Sequence, residues 1–185
     1  QYKITFTPII KTLQFNTVEG LAINPSLVIS KYSNALNSEV RFIAEARYGF
    51  INRHLNPWGG FVFKNKDEFD PDKKFEKYKF FVAGGKRVSQ FFKESDIDGL
   101  ANTVASLLYG RNYMKLYENY FGKAGYTKEW ESGAKFLIEG EFEDRLPINN
   151  TTDYIWNKKW QFRYTPNYPT ELLLTQFQRH QAAIV

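Results

Sequence analysis

Apolar and charged residues alternate along the stretch from Glu39 to Phe50. Successive side chains of a β-strand point to opposite faces of a sheet, so this stretch predicts a strand with one apolar and one charged face. The apolar positions are Val40, Phe42, Ala44, Ala46, Tyr48 and Phe50, and the charged positions are Glu39, Arg41, Glu45 and Arg47.

The stretch from Glu131 to Arg145 has the same two-residue period. A sheet with hydrocarbon on one side and water on the other needs such strands, and the wall of a transmembrane β-barrel is a sheet of this kind. The residues predicted to face lipid are Val40, Phe42, Tyr48, Phe136, Ile138 and Phe142. The residues predicted to face the lumen are Glu39, Arg41, Glu45, Arg47, Glu139, Glu141 and Glu143.

Shorter alternating segments separated by turns predict further strands. These segments are Tyr2–Ile9, Thr12–Val18, Leu21–Tyr32, Trp58–Phe63, Tyr78–Gln90 and Glu171–Phe177. Polar turns are predicted at 33–37 and 52–57, a charged loop at 64–77 and a long loop at 146–169. The pattern therefore predicts one all-β domain over residues 1–185, with a small helical insertion: a segment of an antiparallel transmembrane β-barrel that is an incomplete barrel.

The apolar spacing changes to three and four residues between Ile97 and Phe121, which is typical of a helix. The repeating positions are Leu100, Val104, Leu107, Leu108, Met114, Leu116, Tyr117 and Tyr120. We predict a helical insertion or loop over residues 96–122, with Ser95 or Asp96 as the N-cap of the helix and a break at Gly110. The apolar stripe is compatible with a docking face or a lipid-surface helix, but packing on the sheet or within a loop fold is favoured.

Composition suits a membrane barrel without deciding against a soluble sandwich. Aromatic residues make up 18% of the chain, and they populate both strands and the interfacial girdles of barrels. The net charge of +5 is dispersed along the chain, so no nucleic-acid-binding groove is predicted. No apolar run has the length of a transmembrane helix and no signal peptide begins at Gln1, which favours an excised part of a longer protein.

Candidate chemistry is sparse. The row Glu139, Glu141 and Glu143 has the residue type that glycoside hydrolysis uses, although a water-facing acidic row is the favoured interpretation. The chain has no cysteine and only His54 and His180 as histidines, so no metal site or cofactor is predicted. Neither a Gly-x-Ser-x-Gly elbow nor a phosphate-binding glycine loop is present, and we predict that the domain is not an enzyme.

Three segments resemble a known family: Gln14–Leu21 (QFNTVEGL), Arg111–Tyr117 (RNYMKLY) and Asp144–Tyr154, which contains NNTTDY. The family consists of uncharacterised Bacteroidetes-type outer-membrane proteins that join an N-terminal carboxypeptidase-regulatory-like domain to a C-terminal β-barrel of unknown function. The resemblance implies that this chain is the first part of that barrel. Such a barrel is similar to those of the surface-antigen superfamily, which inserts or translocates outer-membrane proteins.

The predicted function is therefore that of a bacterial outer-membrane β-barrel protein in outer-membrane protein insertion, export or envelope biogenesis. Its predicted partners are outer-membrane lipid, the remaining strands of the same parent chain and other envelope proteins. A soluble β-sandwich or half-barrel that binds a ligand is the alternative. An envelope hydrolase that uses the glutamate row is a more distant one.

Overall fold

The computed structural model describes residues 2–33, 37–65, 77–92, 97–130, 132–157, 164–168 and 179–184. These residues form ten strands and two helices. The strands are β1 (Tyr2–Phe6), β2 (Gln14–Asn16), β3 (Gly20–Ile23), β4 (Ser26–Ser33), β5 (Ser38–Gly49), β6 (Leu55–Asn65), β7 (Lys77–Gln90), β8 (Leu116–Glu129), β9 (Lys135–Pro147) and β10 (His180–Ile184). The helices are α1 (Ile9–Thr12) and α2 (Gly99–Tyr109).

Every strand pairing is antiparallel, and eight strands follow one another in the order β1-β4-β5-β6-β7-β8-β9-β10. β2 pairs with β3, and β3 pairs with the end of β5 through Ala22 opposite Gly49. β1 and β10 lie at the two edges, so the sheet of the described residues is open. The prediction of an antiparallel, mostly β domain with a small helical part is confirmed.

The register between strands assigns the residues of the sheet to two faces. One row of directly opposed residues across β5 to β9 is Glu45, Trp58, Gly85, Phe121 and Glu143. A second row is Phe42, Phe61, Val82, Ala124 and Gly140. Because side chains alternate along each strand, the seven charged positions predicted above share the face of the first row, and the six apolar positions share the face of the second. We call these the charged face and the apolar face.

The helix predicted over residues 96–122 is wrong in its second half. α2 ends at Tyr109, where Gly110 adopts φ +64° and its N–H bonds back to the last turn. Residues from Leu116 onward form β8, which pairs with both β7 and β9. The spacing of apolar residues after Gly110 fits a helix and a strand equally well. The segment is a strand because it pairs with a neighbouring strand on each side. The observed N-cap is Asp98, whereas Ser95 and Asp96 lie outside the described residues.

Other boundaries also differ from the prediction. α1 occupies the start of the strand predicted from Thr12, and β6 begins at Leu55, inside the predicted turn. Pro57 is tolerated there because the β6–β7 ladder ends at Trp58 opposite Gly85, so no bond to β7 is lost. Within the loop predicted at 146–169, β9 extends to Pro147, and residues 148–157 and 164–168 contain no helix or strand. Residues 66–76 and the predicted strand Glu171–Phe177 lie outside the described residues.

A cap made of residues 9–24 and 97–115 lies at the end of the sheet where β5 and β7 end and β8 begins. Its small hydrophobic core consists of Val18 and Met114 with Leu116 of β8, and Val88 of β7 packs against it. Neither helix of the described residues has the length and hydropathy needed to cross a bilayer. The cap contacts β5 through β3, and it contacts β7 and β8 through its small core.

Candidate functional site: the charged face and its polar cap

The turn after β2 is the centre of the buried polar cluster in the cap. Asn16 Oδ1 accepts the backbone N–H groups of Val18 at 2.9 Å and Glu19 at 2.8 Å, and its Nδ2 donates to Glu19 Oε2 at 2.7 Å. An asparagine that accepts the backbone N–H two residues ahead forms an Asx turn. Gly20 follows with φ +66°, and the side chain of Ile51 occupies the space that a Cβ would need. This turn therefore depends on both Asn16 and Gly20.

Thr17 joins the three segments that carry the family resemblance. Its hydroxyl accepts a hydrogen bond from Asn112 Nδ2 at 2.8 Å and donates one to Asn150 Oδ1 at 2.6 Å. Its carbonyl accepts the N–H groups of Thr151 at 2.8 Å and Thr152 at 3.1 Å. Segments 14–21, 111–117 and 144–154 therefore meet at one buried threonine.

Asn102 holds α2 against the cluster by the polar side of the helix. Its Oδ1 accepts the backbone N–H groups of Tyr113 at 2.9 Å and Met114 at 3.1 Å, and its Nδ2 donates to Asn112 Oδ1 at 2.8 Å. Asn102 is fully buried. Sequence reasoning missed Asn102, because a single polar residue on an amphipathic helix is expected to face water.

Glu19 connects the cap to the charged face. Its buried carboxylate receives Arg47 Nη2 at 2.6 Å and Arg47 Nε at 2.8 Å. Arg47 Nη1 also donates to Gln14 Oε1 at 3.3 Å. Arg47, predicted to face the lumen, lies on the charged face, and its side chain is mostly buried where it contacts Glu19 and Gln14 of the cap.

The three glutamates of β9 are brought together with cations of the neighbouring strands. Glu139 pairs with Lys123 at 2.6 Å, and Glu141 pairs with Arg87 at 2.6 Å. Glu143 is the most buried of the three and contacts both Arg87 at 2.7 Å and Arg145 at 2.8 Å. Every carboxylate of the row thus has a cationic partner. This arrangement favours a charge-compensated wall over the acid and base pair of a hydrolase.

Aromatic rings support the cations of this wall. The Arg87 guanidinium lies 3.9 Å from the centroid of the Phe121 ring, and that of Arg145 lies 4.9 Å from the Tyr117 ring. Asn119 Nδ2 also donates to Glu143 Oε1 at 2.9 Å. A guanidinium that pairs with a carboxylate in its plane and with a ring on its face is held in one orientation. The charged face is therefore a network of ion pairs, hydrogen bonds and ring contacts.

Two further carboxylates are buried at the ends of strands. Glu39, predicted to face the lumen, pairs with Arg41 at 2.8 Å and with Lys64 at 3.4 Å. Glu118, which the register places on the apolar face near the start of β8, pairs with His54 Nδ1 at 2.7 Å and with Lys86 Nζ at 2.9 Å. Glu45 lies on the charged face opposite Trp58.

A cavity of about 530 Å³ lies between the cap and the charged face. Gln14 and Gly99 line it from the cap, and Arg47, Arg87 and Lys123 line it from the sheet. These cations pair with Glu19, Glu141, Glu143 and Glu139. The cavity wall is polar but close to neutral, so it favours no strongly charged ligand.

Burial shifts the pKa values of two side chains in the connecting segments. Burial lowers the pKa of Lys115, whose Nζ donates to Thr165 Oγ1 at 2.5 Å and to the Pro166 carbonyl at 2.8 Å. Burial, with the nearby charge of Asp153, raises the pKa of Tyr164. In the part of the chain that the structure describes, no three His, Cys, Asp or Glu side chains come together as a metal site would require.

These features define a class of protein scaffold: an open antiparallel sheet with one apolar and one charged face, capped at one end by a buried polar network. The chain belongs to a family of unknown function, since the Family of unknown function (DUF5686) C-terminal domain matches residues 1–185. The expected membership of a family of unknown function is confirmed. No curated protein and no solved structure gives a significant match to the chain.

Proposed function

We propose that this domain is part of the wall of a β-barrel in the bacterial outer membrane, with the apolar face against lipid and the charged face towards the lumen. The observation that carries the proposal is the inverted burial of the sheet. On the apolar face, Phe42 is 47% exposed and Phe142 is 52% exposed, whereas on the charged face Glu143 is 2% exposed and Glu39 is 3% exposed. A sheet stable in water has the opposite distribution.

Physical chemistry supports lipid as the neighbour of the apolar face. Apolar surface in water costs roughly 25 cal/mol per Å², so a wall of exposed Phe, Ile and Tyr side chains is unfavourable in an aqueous compartment. Contiguous exposed apolar patches mark membrane or protein contacts. Buried carboxylates are tolerated where each has a cation and further hydrogen bonds, as Glu143 does through Arg87, Arg145 and Asn119. Apolar residues outside and polar residues inside are the arrangement of membrane barrels.

The two edges of the sheet support the need for further strands. β1 pairs only with β4, and β10 pairs only with β9, among the strands that the structure describes. Lipid offers no hydrogen bonds to a free strand edge, so a sheet inside a bilayer has to close. We therefore propose that other strands of the same parent chain pair with β1 and β10.

Within the envelope we propose a role in the insertion or export of outer-membrane proteins, or in envelope biogenesis more broadly. The resemblance of three segments to an outer-membrane family supports this role. The compensated charges of the lumen-facing wall also argue against a pore that selects strongly for one sign of charge. Depletion of the protein is expected to lower the amount of folded outer-membrane proteins, and unchanged levels of all of them would refute this role.

The barrel itself is tested on the intact protein by fractionating cells and running the membrane fraction on gels with and without boiling. A mobility that changes with heating, in the outer-membrane fraction, is the expected result for a closed barrel. Recovery as a soluble periplasmic or cytoplasmic species would refute the proposal. It would instead favour a soluble half-barrel that binds a ligand, for which the cavity of about 530 Å³ between cap and sheet is the supporting observation.

A further inference from the structure

Helix α2 buries two polar residues, Asn102 and Ser106, beside Leu107, and leaves a stripe of apolar residues exposed. Asn102 and Ser106 are fully buried. Leu100, Val104 and Leu108, spaced four residues apart along one side, are 67%, 44% and 39% exposed. A helix on the surface of a water-soluble domain has the reverse orientation. Of the stripe predicted from the sequence, Leu107, Met114, Leu116 and Tyr117 are buried, whereas Leu100, Val104 and Leu108 are not.

Hydrogen bonds fix this inverted orientation. Asn102 bonds to Asn112 and to the backbone of residues 113 and 114, and Thr103 Oγ1 accepts the N–H of Phe15 at 2.8 Å. Tyr164 donates its hydroxyl to the Ser106 carbonyl at 2.7 Å. If the helix rotated about its axis to bury Leu100, Val104 and Leu108, the hydrogen-bonding groups named above would lose their partners. The apolar side is therefore committed to the outside.

The exposed side of α2 contains no charge and is flanked by large aromatic residues. None of the residues from Gly99 to Tyr109 is charged. Trp156 is 61% exposed, and its backbone N–H donates to the Leu107 carbonyl at 2.9 Å, which places the residue beside the helix. Tyr154 is 53% exposed. Tyrosine and tryptophan are enriched where a membrane meets water.

The α2 surface also continues the apolar face of the sheet. Phe15 of β2 is directly opposite Leu21 of β3, and Ile23 of β3 is directly opposite Tyr48 of β5. Phe15 and Leu21 therefore lie on the apolar face. The ring of Tyr154 packs edge-on against Phe15, with 6.2 Å between the centroids. The α2 patch, defined as Leu100, Val104, Leu108, Tyr154 and Trp156, thus extends beyond the end of the apolar face.

We propose that the α2 patch rests in the interfacial layer of a phospholipid membrane, where it anchors the capped end of the sheet. This inference rests on the proposed membrane barrel and names the lipid contact of its cap. At about 1.5 Å per residue, α2 is roughly 16 Å long, which suits a helix lying in the interface and is too short for one that spans the bilayer. The interfacial layer changes from polar headgroups to apolar acyl chains. Apolar side chains of α2 at the acyl boundary, with Trp156 and Tyr154 at the level of the headgroups, suit this change in polarity.

The test uses the intact protein in phosphatidylcholine vesicles, with one fluorescent label at a time. These 185 residues contain no cysteine. Any cysteine elsewhere in the parent protein is replaced by serine, so that each variant carries one labelling site. Val104→Cys reports on the α2 patch, Phe42→Cys reports on the apolar face, and Ser132→Cys, in an exposed turn, is the aqueous control. Each carries an environment-sensitive dye, and quenching is compared for nitroxides near the headgroup, nitroxides deep in the acyl chain, and aqueous iodide. Heat-dependent mobility confirms that each variant has folded.

The expected result is a blue-shifted label at Val104 that is quenched more by the headgroup nitroxide than by the deep one, with little quenching by iodide. A label at Val104 that iodide quenches as strongly as it does at Ser132 would overturn the inference. So would one shielded from both lipid and iodide, which would mean that a protein covers the helix. The barrel is judged separately at Phe42: lipid quenching there without lipid quenching at Val104 would refute the anchor and leave the barrel intact.

Discussion

Glu19 and Arg47 form an ion pair 2.6 Å long between a Glu19 side chain with no exposed surface and an Arg47 side chain that is 12% exposed. This pair links the turn after β2 to the charged face of β5. Both charges are removed from water, so each depends on the other. The pair therefore provides the clearest test of how the cap is attached to the sheet.

Glu19→Ala is expected to lower the free energy of unfolding by about 3–5 kcal/mol, because it leaves a buried arginine without its counter-charge. Urea unfolding of the intact protein, followed by tryptophan fluorescence in detergent, measures the change. The control is Arg179→Ala, which removes the exposed pair with Asp144 and is expected to cost about 1 kcal/mol or less. Equal effects of the two substitutions would contradict a stabilising role of the buried Glu19–Arg47 pair.

Ile138 and Leu137 offer a matched pair for the two faces. They are adjacent and similarly exposed, at 48% and 44%, but they lie on the apolar and the charged face respectively. Ile138→Arg is expected to destabilise a membrane barrel by about 2–4 kcal/mol near the bilayer midplane, whereas Leu137→Arg, on the charged face, is expected to be tolerated. The yield of heat-modifiable protein in the outer-membrane fraction measures both. Equal tolerance at both positions would refute the proposal that the apolar face contacts lipid and the charged face lines the lumen.

Asn102→Ala removes the acceptor for two backbone N–H groups and the donor to Asn112. Each buried group left without a partner costs about 1–3 kcal/mol, so we expect a loss of at least about 2 kcal/mol. Hydrogen exchange at Tyr113 and Met114 should accelerate at the same time. Ala101→Ser, at the exposed neighbouring position, is the control and should leave both the stability and the exchange unchanged.

Gly85 and Gly122 predict opposite responses to the same substitution. Gly85 has φ +140°, and a Cβ there would lie 2.6 Å from the Pro57 carbonyl oxygen and from Trp58 Cα. Gly85→Ala should therefore destabilise the sheet by about 1–3 kcal/mol. A Cβ at Gly122 meets nothing within 4 Å, so Gly122→Ala should be nearly neutral or slightly stabilising. Thermal unfolding of the two variants measures both effects. A Gly85→Ala variant as stable as the original would contradict the backbone conformation and the close contacts at Gly85.

Tyr164 predicts a dependence of stability on alkaline pH. Its pKa is raised above the ordinary value of 10.0, first by burial and then by the charge of Asp153, so the folded state retains the phenolic proton to higher pH than the unfolded state. The linked stability is complete below pH 10 and is lost as the pH rises through the folded pKa. Tyr164→Phe should flatten this part of the stability–pH curve, and it should cost about 1 kcal/mol at neutral pH through the lost bond to Ser106. An unchanged alkaline slope would contradict this.

The alternation of the sequence predicted the two faces correctly, since Phe42 and Ile138 lie on one and Glu45 and Glu139 on the other. Period-two patterning identifies a face because each strand presents its side chains by geometry alone. It did not identify the partner of any charge. Which cation lies beside Glu143 depends on the register between β7, β8 and β9, and register is a relation between segments far apart in the chain. That the apolar face contacts lipid and the charged face lines a lumen stays a prediction.

The sequence by itself determined that the chain builds antiparallel strands with an apolar and a charged side, and that segments 14–21, 111–117 and 144–154 carry the family signature. Only the tertiary structure decided that these segments meet at Thr17, that Glu19 reaches Arg47, and that α2 turns Asn102 inward and Leu100 outward. Local pattern records which side chains share a face. The partner that satisfies a buried polar group comes from elsewhere in the chain, so a helix can bury its polar side only where the fold supplies those partners.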